Sequence, residues 1–169
     1  MKRNLFVFLT AATVFLAGCG RQELTVDMSK TVTDTNAPPV NLAAEIARAK
    51  SENKLLFLEF GSSDSCPPCV LFQQKVFSSP EFLAYEKSNL DFVRLDFPAK
   101  VALRKDTGAT NDILARQFDA VAFPTFIALD RDGKEFWRYP RNEDTGLDVS
   151  YYQPENFIAL IESVKKKEK

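Results

Sequence analysis

Two cysteines separated by two prolines, Cys66-Pro67-Pro68-Cys69, stand between the apolar run Leu55–Phe60 and a helical pattern reaching about Val76. That junction constrains the chain more than any other feature. Two intervening residues at the first turn of a helix bring both sulfurs within disulfide reach. Pro67 suits that turn, where its missing N–H leaves no bond unmade. The first sulfur is expected to be exposed, near the free N–H groups and positive end of the helix, which favours its thiolate and lowers its pKa. The thiolate is the attacking species in disulfide exchange. Cys69, one turn further in, suits the resolving role.

Other uses of the pair fit less well. Structural zinc takes about four ligands from Cys, His and carboxylates. The chain has no His and a single Cys-x-x-Cys, so no metal and no cofactor is expected. A purely structural disulfide over so short a loop would stabilise little and strain the backbone.

The 169 residues suit one domain with a single core, and fifteen Phe make that core Phe-rich. Net charge is −1, which gives no reason to expect nucleic-acid binding.

The third cysteine has a separate context. A short basic start, Met1-Lys2-Arg3-Asn4, precedes an apolar run from Leu5 to Leu16 broken only by Thr10 and Thr13. It has the length of a signal-peptide core rather than of a bilayer span. It ends in Leu16-Ala17-Gly18-Cys19, which resembles the bacterial lipobox, whose Cys is acylated and becomes the new N-terminus. The alternative is an ordinary secretory leader that contains a Cys. Residues 1–18 are therefore expected to be a leader and 19–39 a lipidated Cys with an extended tether, with a short strand around Thr31–Thr33. In enteric bacteria an Asp after the Cys favours the inner membrane. Gly20 points instead to the outer membrane where the cell has one, on its periplasmic side.

Residues 40–169 form the folded part. Asn41 caps a helix over Leu42–Glu52. Leu55–Phe60 reads as a buried central strand. After the Cys66 helix, Pro80 restarts a helix through Lys87, and Leu90–Phe97 forms a strand parallel to the first. Pro98–Asn111 is expected as a polar connection and Asp112–Phe118 as a short helix. Thr125–Asp130 and Lys134–Tyr139 make a hairpin about Asp130-Arg131-Asp132-Gly133. Pro154 opens a last helix through about Lys166, with Phe157, Leu160, Ile161 and Val164 on its core face. The run Lys165–Lys169 reads as a solvated helix end that complements the helix dipole.

This order, with Leu58-Glu59-Phe60, Cys66-Pro67-Pro68-Cys69, Val93-Arg94-Leu95-Asp96, Phe123-Pro124-Thr125 and Asp132-Gly133-Lys134, resembles the thioredoxin superfamily over about Asn41–Lys166. Gly61-Ser62-Ser63-Asp64-Ser65-Cys66 and Val76-Phe77-Ser78-Ser79-Pro80-Glu81-Phe82 are similar to a secreted subgroup. The resemblance implies an α/β thioredoxin fold, a central mixed β-sheet flanked by helices. The family carries Trp before the first Cys. Here that residue is Ser65, which puts partner choice in doubt. Copper delivery by proteins of this fold usually involves a His, which is absent.

The resemblance also implies that Pro124 is cis and faces the cysteines, so that Phe123, Pro124 and Thr125 bind a substrate strand through exposed backbone. The alternative is a trans proline entering a strand. It implies further that Glu59 is a buried acid with a raised pKa that takes the proton of Cys69. The alternative is a solvated or Lys-paired acid.

The expected function is thiol–disulfide exchange on extracytoplasmic proteins, catalysed by Cys66, Cys69 and Glu59. Pro67 and Pro68 shape the active-site loop, and Pro68, lacking charge and hydrogen bond, favours a reductase. Partners are then disulfide-containing or dithiol proteins, a membrane electron donor for recycling, and the bilayer through acylated Cys19. The alternatives are a disulfide-forming oxidant or isomerase, or a non-catalytic binding lipoprotein of the same fold.

Overall fold

Asn41 caps helix α1 (Leu42–Glu52) by accepting from the Ala44 N–H at 3.1 Å. Asn53 ends it in the left-handed conformation at φ 54°, its N–H returned to Ala49 and Lys50 carbonyls. The reversal delivers the chain directly into strand β1 (Leu55–Gly61), buried along its whole length. The computed structural model describes residues 26–28, 33–139 and 148–168. The leader, Cys19, Thr31, Val32 and Lys169 lie outside them.

Helix α2 (Pro67–Phe72) follows the active-site loop and continues as a π-helical turn, Gln73–Phe77. Then come α3 (Pro80–Asn89), capped by Ser79 with Pro80 at its start, β2 (Leu90–Asp96) and α4 (Lys105–Gln117). The hairpin of β3 (Thr125–Leu129) and β4 (Glu135–Tyr139) leads to α5 (Pro154–Lys165). The sheet order is β2-β1-β3-β4. β1 pairs parallel with β2 and antiparallel with β3, so the sheet is mixed.

Side chains alternate across the sheet and divide the core in two. Leu55 and Phe57 of β1, with Phe126 and Ala128 of β3, pack against Phe72, Phe77, Phe82 and Phe157 from the active-site helix, α3 and α5. Leu56, Leu58 and Phe60, with Ile127 and Leu129, pack against Ala49 of α1 and Leu114 and Phe118 on the α4 side. The phenylalanines concentrate on the first face, where Phe126 and Phe157 lie 5.1 Å apart between ring centres. Each fully buried ring contributes about 1.5–3 kcal/mol relative to exposure. Leu160 lies partly buried at the edge of the same cluster.

Three elements differ from expectation. The fourth helix begins at Lys105, so much of the expected connection Pro98–Asn111 is helical. Gly108, Thr107 and Thr110 weaken its local helix signal. Tertiary bonds supply what propensity lacks: the Thr107 hydroxyl donates to the Ala37 carbonyl at 2.6 Å, and Asn111 Nδ2 to the Asp96 carbonyl at 2.9 Å. The helix after Cys66 changes to a π turn at Gln73, with no Gly or Pro to mark the place. A 3₁₀ turn at Val149–Tyr152, capped by Asp148 onto the Ser150 N–H at 2.9 Å, precedes α5.

The described part of the expected tether is bound to the domain. Val26 packs on the Phe-rich cluster, and Gln74 Nε2 donates to the Asp27 carbonyl at 2.6 Å. Further on, the Arg104 N–H donates to the Thr35 carbonyl at 3.2 Å, and Thr33 hydrogen-bonds the Ser63 hydroxyl. Among the described residues no helix is long and apolar enough to cross a membrane.

Candidate active site

Cys66 is the N-cap of α2, in extended conformation, with Pro67 as the first helical residue. It is joined to Cys69 by a disulfide with S–S 2.07 Å and Cα–Cα 5.3 Å. The Cys69 N–H donates to Cys66 Sγ at 3.2 Å. After reduction, the same donor at the helix start favours a Cys66 thiolate. In the disulfide form Cys66 is only 8% exposed and Cys69 4%. The first residue is therefore less open than expected, because its sulfur is turned inward to its partner.

The loop ahead of Cys66 is held by two aspartates. Asp96, at the end of β2, accepts from the Ser63 N–H at 2.8 Å and the Ser63 hydroxyl at 2.7 Å. Asp64 is buried and accepts from the N–H groups of Ala99 at 2.7 Å and Lys100 at 2.8 Å, and from the Ser62 hydroxyl at 3.3 Å. Burial opposes its charge, but these donors together hold its carboxyl below the usual range. Ser62 and Ser65 hydroxyls bond each other at 2.6 Å. Ser65 itself is exposed.

Glu59 lies two residues before the loop and is 3% exposed. Its Oε2 accepts from Arg94 Nε at 2.6 Å. Burial pushes its carboxyl up, and Arg94 offsets only part of that push. Arg94 also lies over the Phe77 ring, 5.1 Å from its centre. Gly61 separates the acid from the disulfide. A methyl group there would sit 3.1 Å from Glu59 Oε1 and 3.4 Å from Cys69 Sγ.

The Phe123–Pro124 peptide is cis. Register pairs Phe60 with Thr125, which puts Pro124 at the same end of the sheet as the loop 61–66. The Thr125 hydroxyl donates to the Ala122 carbonyl at 2.7 Å. Phe123 stacks on Phe97 with ring centres 5.0 Å apart, and Val121 beside them is 88% exposed. Cys66, Cys69, Glu59, Pro67, Pro68 and the Phe123–Thr125 turn thus share one end of the sheet. Cys19 is outside the described residues.

Sequence reasoning gave no role to Arg94, Asp96, Gly61, Phe97 or Asn111. Arg94 and Asp96 carried a signal, as charged residues on alternate positions in the second half of β2. Asn111 carried none, since its burial depends on a helix start that the local sequence hides.

The family model for the thioredoxin-like domain matches residues 42–165. The disulfide bond reductase DsbH of Chlamydia pneumoniae is 29% identical over 96 residues, which are 57% of this chain and 58% of that protein. The chain thus aligns with little more than half of that relative's length. A solved DsbH oxidoreductase superposes with a TM-score of 0.62 at 24% identity, covering 78% of this chain and 85% of that one.

Proposed function

The chain belongs to the thioredoxin-like domain family and has its fold, and from that premise we propose that it is a thiol–disulfide oxidoreductase that reduces extracytoplasmic protein disulfides. The observation that carries the reading is the Cys66–Cys69 disulfide at the start of α2, beside the buried carboxyl of Glu59.

In the reduced protein the Cys66 thiolate attacks one sulfur of a substrate disulfide. A mixed disulfide forms and the other substrate sulfur leaves as a thiolate. Cys69 gives its proton to Glu59 and attacks Cys66 Sγ. The second substrate sulfur then leaves, and the Cys66–Cys69 disulfide is restored. Two substrate thiols are gained and two protein thiols lost, so a membrane donor of reducing equivalents must return the pair to the dithiol. Phe123, Pro124 and Thr125 hold the substrate strand. Pro67 and Pro68 leave the loop without a charge that would over-stabilise the thiolate, which supports the reducing direction. The name of the chlamydial relative agrees with it.

The lipobox-like Leu16–Cys19 supports a leader over residues 1–18 and acylation of Cys19. Residues 19–39 then link lipid to a domain over 40–169, on the periplasmic side of the outer membrane where there is one. Two or three acyl chains anchor stably, since each buried CH₂ contributes about 0.8 kcal/mol.

The direction is tested by equilibrating the purified protein with glutathione or thioredoxin. A potential more oxidising than about −150 mV, toward the range of dedicated oxidants, overturns the reductase. Failure to accelerate insulin reduction by dithiothreitol overturns the enzyme altogether, in favour of a binding module.

A further inference from the structure

We propose that Arg138 of β4 is the positioning residue of the substrate-binding turn: by holding the end of α4 it fixes where Val121, Ala122 and Phe123 present their backbone to a protein substrate. The inference rests on the redox reading above. It concerns recognition of protein disulfides and leaves the cysteine chemistry untouched.

The last carbonyls of a helix have no partner within it. At the end of α4 the Ala120 N–H returns to the Ala115 carbonyl at 2.9 Å, and Asp119 takes the left-handed conformation at φ 49°. Glycine is the usual residue at that place, because a Cβ disfavours the conformation. With Asp there, the reversal gains from a hold outside the helix, and Arg138 supplies it. Its Nη2 donates to the Phe118 carbonyl at 2.6 Å and its Nη1 to the Asp119 carbonyl at 3.4 Å. The guanidinium is itself oriented by Glu135, whose two carboxylate oxygens accept from Nε and Nη2 at 2.7 Å each. That is a fork on a fork, a geometry that Lys does not reproduce. The Arg138 side chain is 18% exposed, so water competes weakly for these bonds.

The hold matters for the chain that follows. Arg138 stands opposite Ile127 in the register of β3 and β4, and β3 begins at Thr125, directly after Pro124. The turn before β3 is therefore fixed at both ends. Arg138 holds Phe118 and Asp119 on one side. On the other, the Thr125 hydroxyl donates to the Ala122 carbonyl at 2.7 Å. Ala120 is buried, whereas Val121, Ala122 and Phe123 are exposed between these two anchors. A substrate strand that pairs with backbone already ordered loses less conformational freedom on binding. A small disulfide with no strand gains nothing from that order. Arg138 acts through the turn, so it is a positioning residue and not a catalytic one.

The test compares two substrates of the reduced full chain. Insulin carries its disulfides on polypeptide strands, and 5,5′-dithiobis(2-nitrobenzoate) has none. Arg138→Met keeps the apolar stem and removes the hydrogen bonds. It is expected to lower the second-order rate constant for insulin about fivefold, the scale of one hydrogen bond's net contribution, with thionitrobenzoate release unchanged. Arg138→Lys can still meet one carbonyl and should fall between Arg138→Met and the unaltered chain. Glu135→Gln only loosens the guanidinium, and should show the same selectivity to a smaller degree; it decides the matter if Arg138→Met fails to fold. Equal losses on both substrates, or an unchanged insulin rate in the folded variants, overturn the proposal. So does an Arg138→Lys variant no better than Arg138→Met, which would place the effect somewhere other than the two carbonyls. An unaltered chain that reduces only the small disulfide also overturns it. If the unaltered chain reduces neither, the redox reading itself fails.

Discussion

Glu59 and Arg94 are register partners on the parallel strands β1 and β2, and Arg94 Nε donates to Glu59 Oε2 at 2.6 Å. The pair is unequal in environment. The acid is buried, whereas the Arg94 side chain is 42% exposed. The base therefore stays in touch with water while the acid carries most of the burial cost, and the Glu59 carboxyl ends above its ordinary range.

That inequality predicts a pH dependence with a definite sign. A carboxyl with a raised folded pKa binds protons more tightly folded than unfolded. Its contribution to stability is present below the unfolded pKa of about 4.3 and is lost as pH rises through the folded value. Glu59→Gln removes this dependence. Urea melts of the oxidised protein should show the variant gaining on the wild type as pH rises above about 4.3. Parallel curves across that window would mean the carboxyl is not perturbed.

The same substitution has a kinetic signature. Glu59→Gln should slow resolution of the mixed disulfide by about tenfold or more, within the range for general-base catalysis, and leave the Cys66 attack nearly unchanged. Stopped-flow release of the second leaving group reads the step, and an unaltered rate would remove Glu59 from the mechanism.

Reactivity should divide between the two thiols. Cys66 is the N-cap and receives the Cys69 N–H, so in the reduced protein iodoacetamide should modify it well ahead of Cys69 near pH 7. Mass spectrometry of the timed digest decides. Preferential labelling of Cys69 would reverse the roles.

Much of this arrangement was legible beforehand, and its gaps have physical causes. Pro67 and Pro80 mark helix starts by local chemistry, as does the Asn41 cap, and α1 falls where its cap and periodicity put it. The start of α4 was hidden because what holds it, Thr107 on Ala37 and Asn111 on Asp96, is distant in sequence. The cysteine pair was plain from spacing. The partner of Glu59 was not, because strand register decides which residue of β2 stands opposite it.

Asp64 makes the loop testable by itself. Asp64→Ala leaves the N–H groups of Ala99 and Lys100 without their buried acceptor. A destabilisation of about 2–3 kcal/mol is expected for lost hydrogen bonds to a charged group. Because the Asp64 carboxyl lies below its usual range, its contribution is present above the unfolded pKa and is lost as pH falls through the folded one. Denaturant melts of wild type and variant should therefore converge toward low pH, and a constant gap would assign the loss to something other than charge.

The anchor has its own experiment. Cys19→Ser should abolish acylation and move the protein from the detergent phase to the aqueous phase on Triton X-114 extraction. Equal partitioning of both forms would refute the lipobox reading.

The attachment of Val26 and Asp27 to the domain turns that anchor into a question of reach. Seven peptide links separate Cys19 from Val26, and at full stretch they span at most about 25 Å. With lipid on Cys19, the mooring point beside Gln74, in the turn that continues the Cys66 helix, could never stand further than that from the bilayer surface. A client would then be met within a shallow layer above the lipid, and an electron donor embedded in the same membrane would need only a short projection to reach the cysteines.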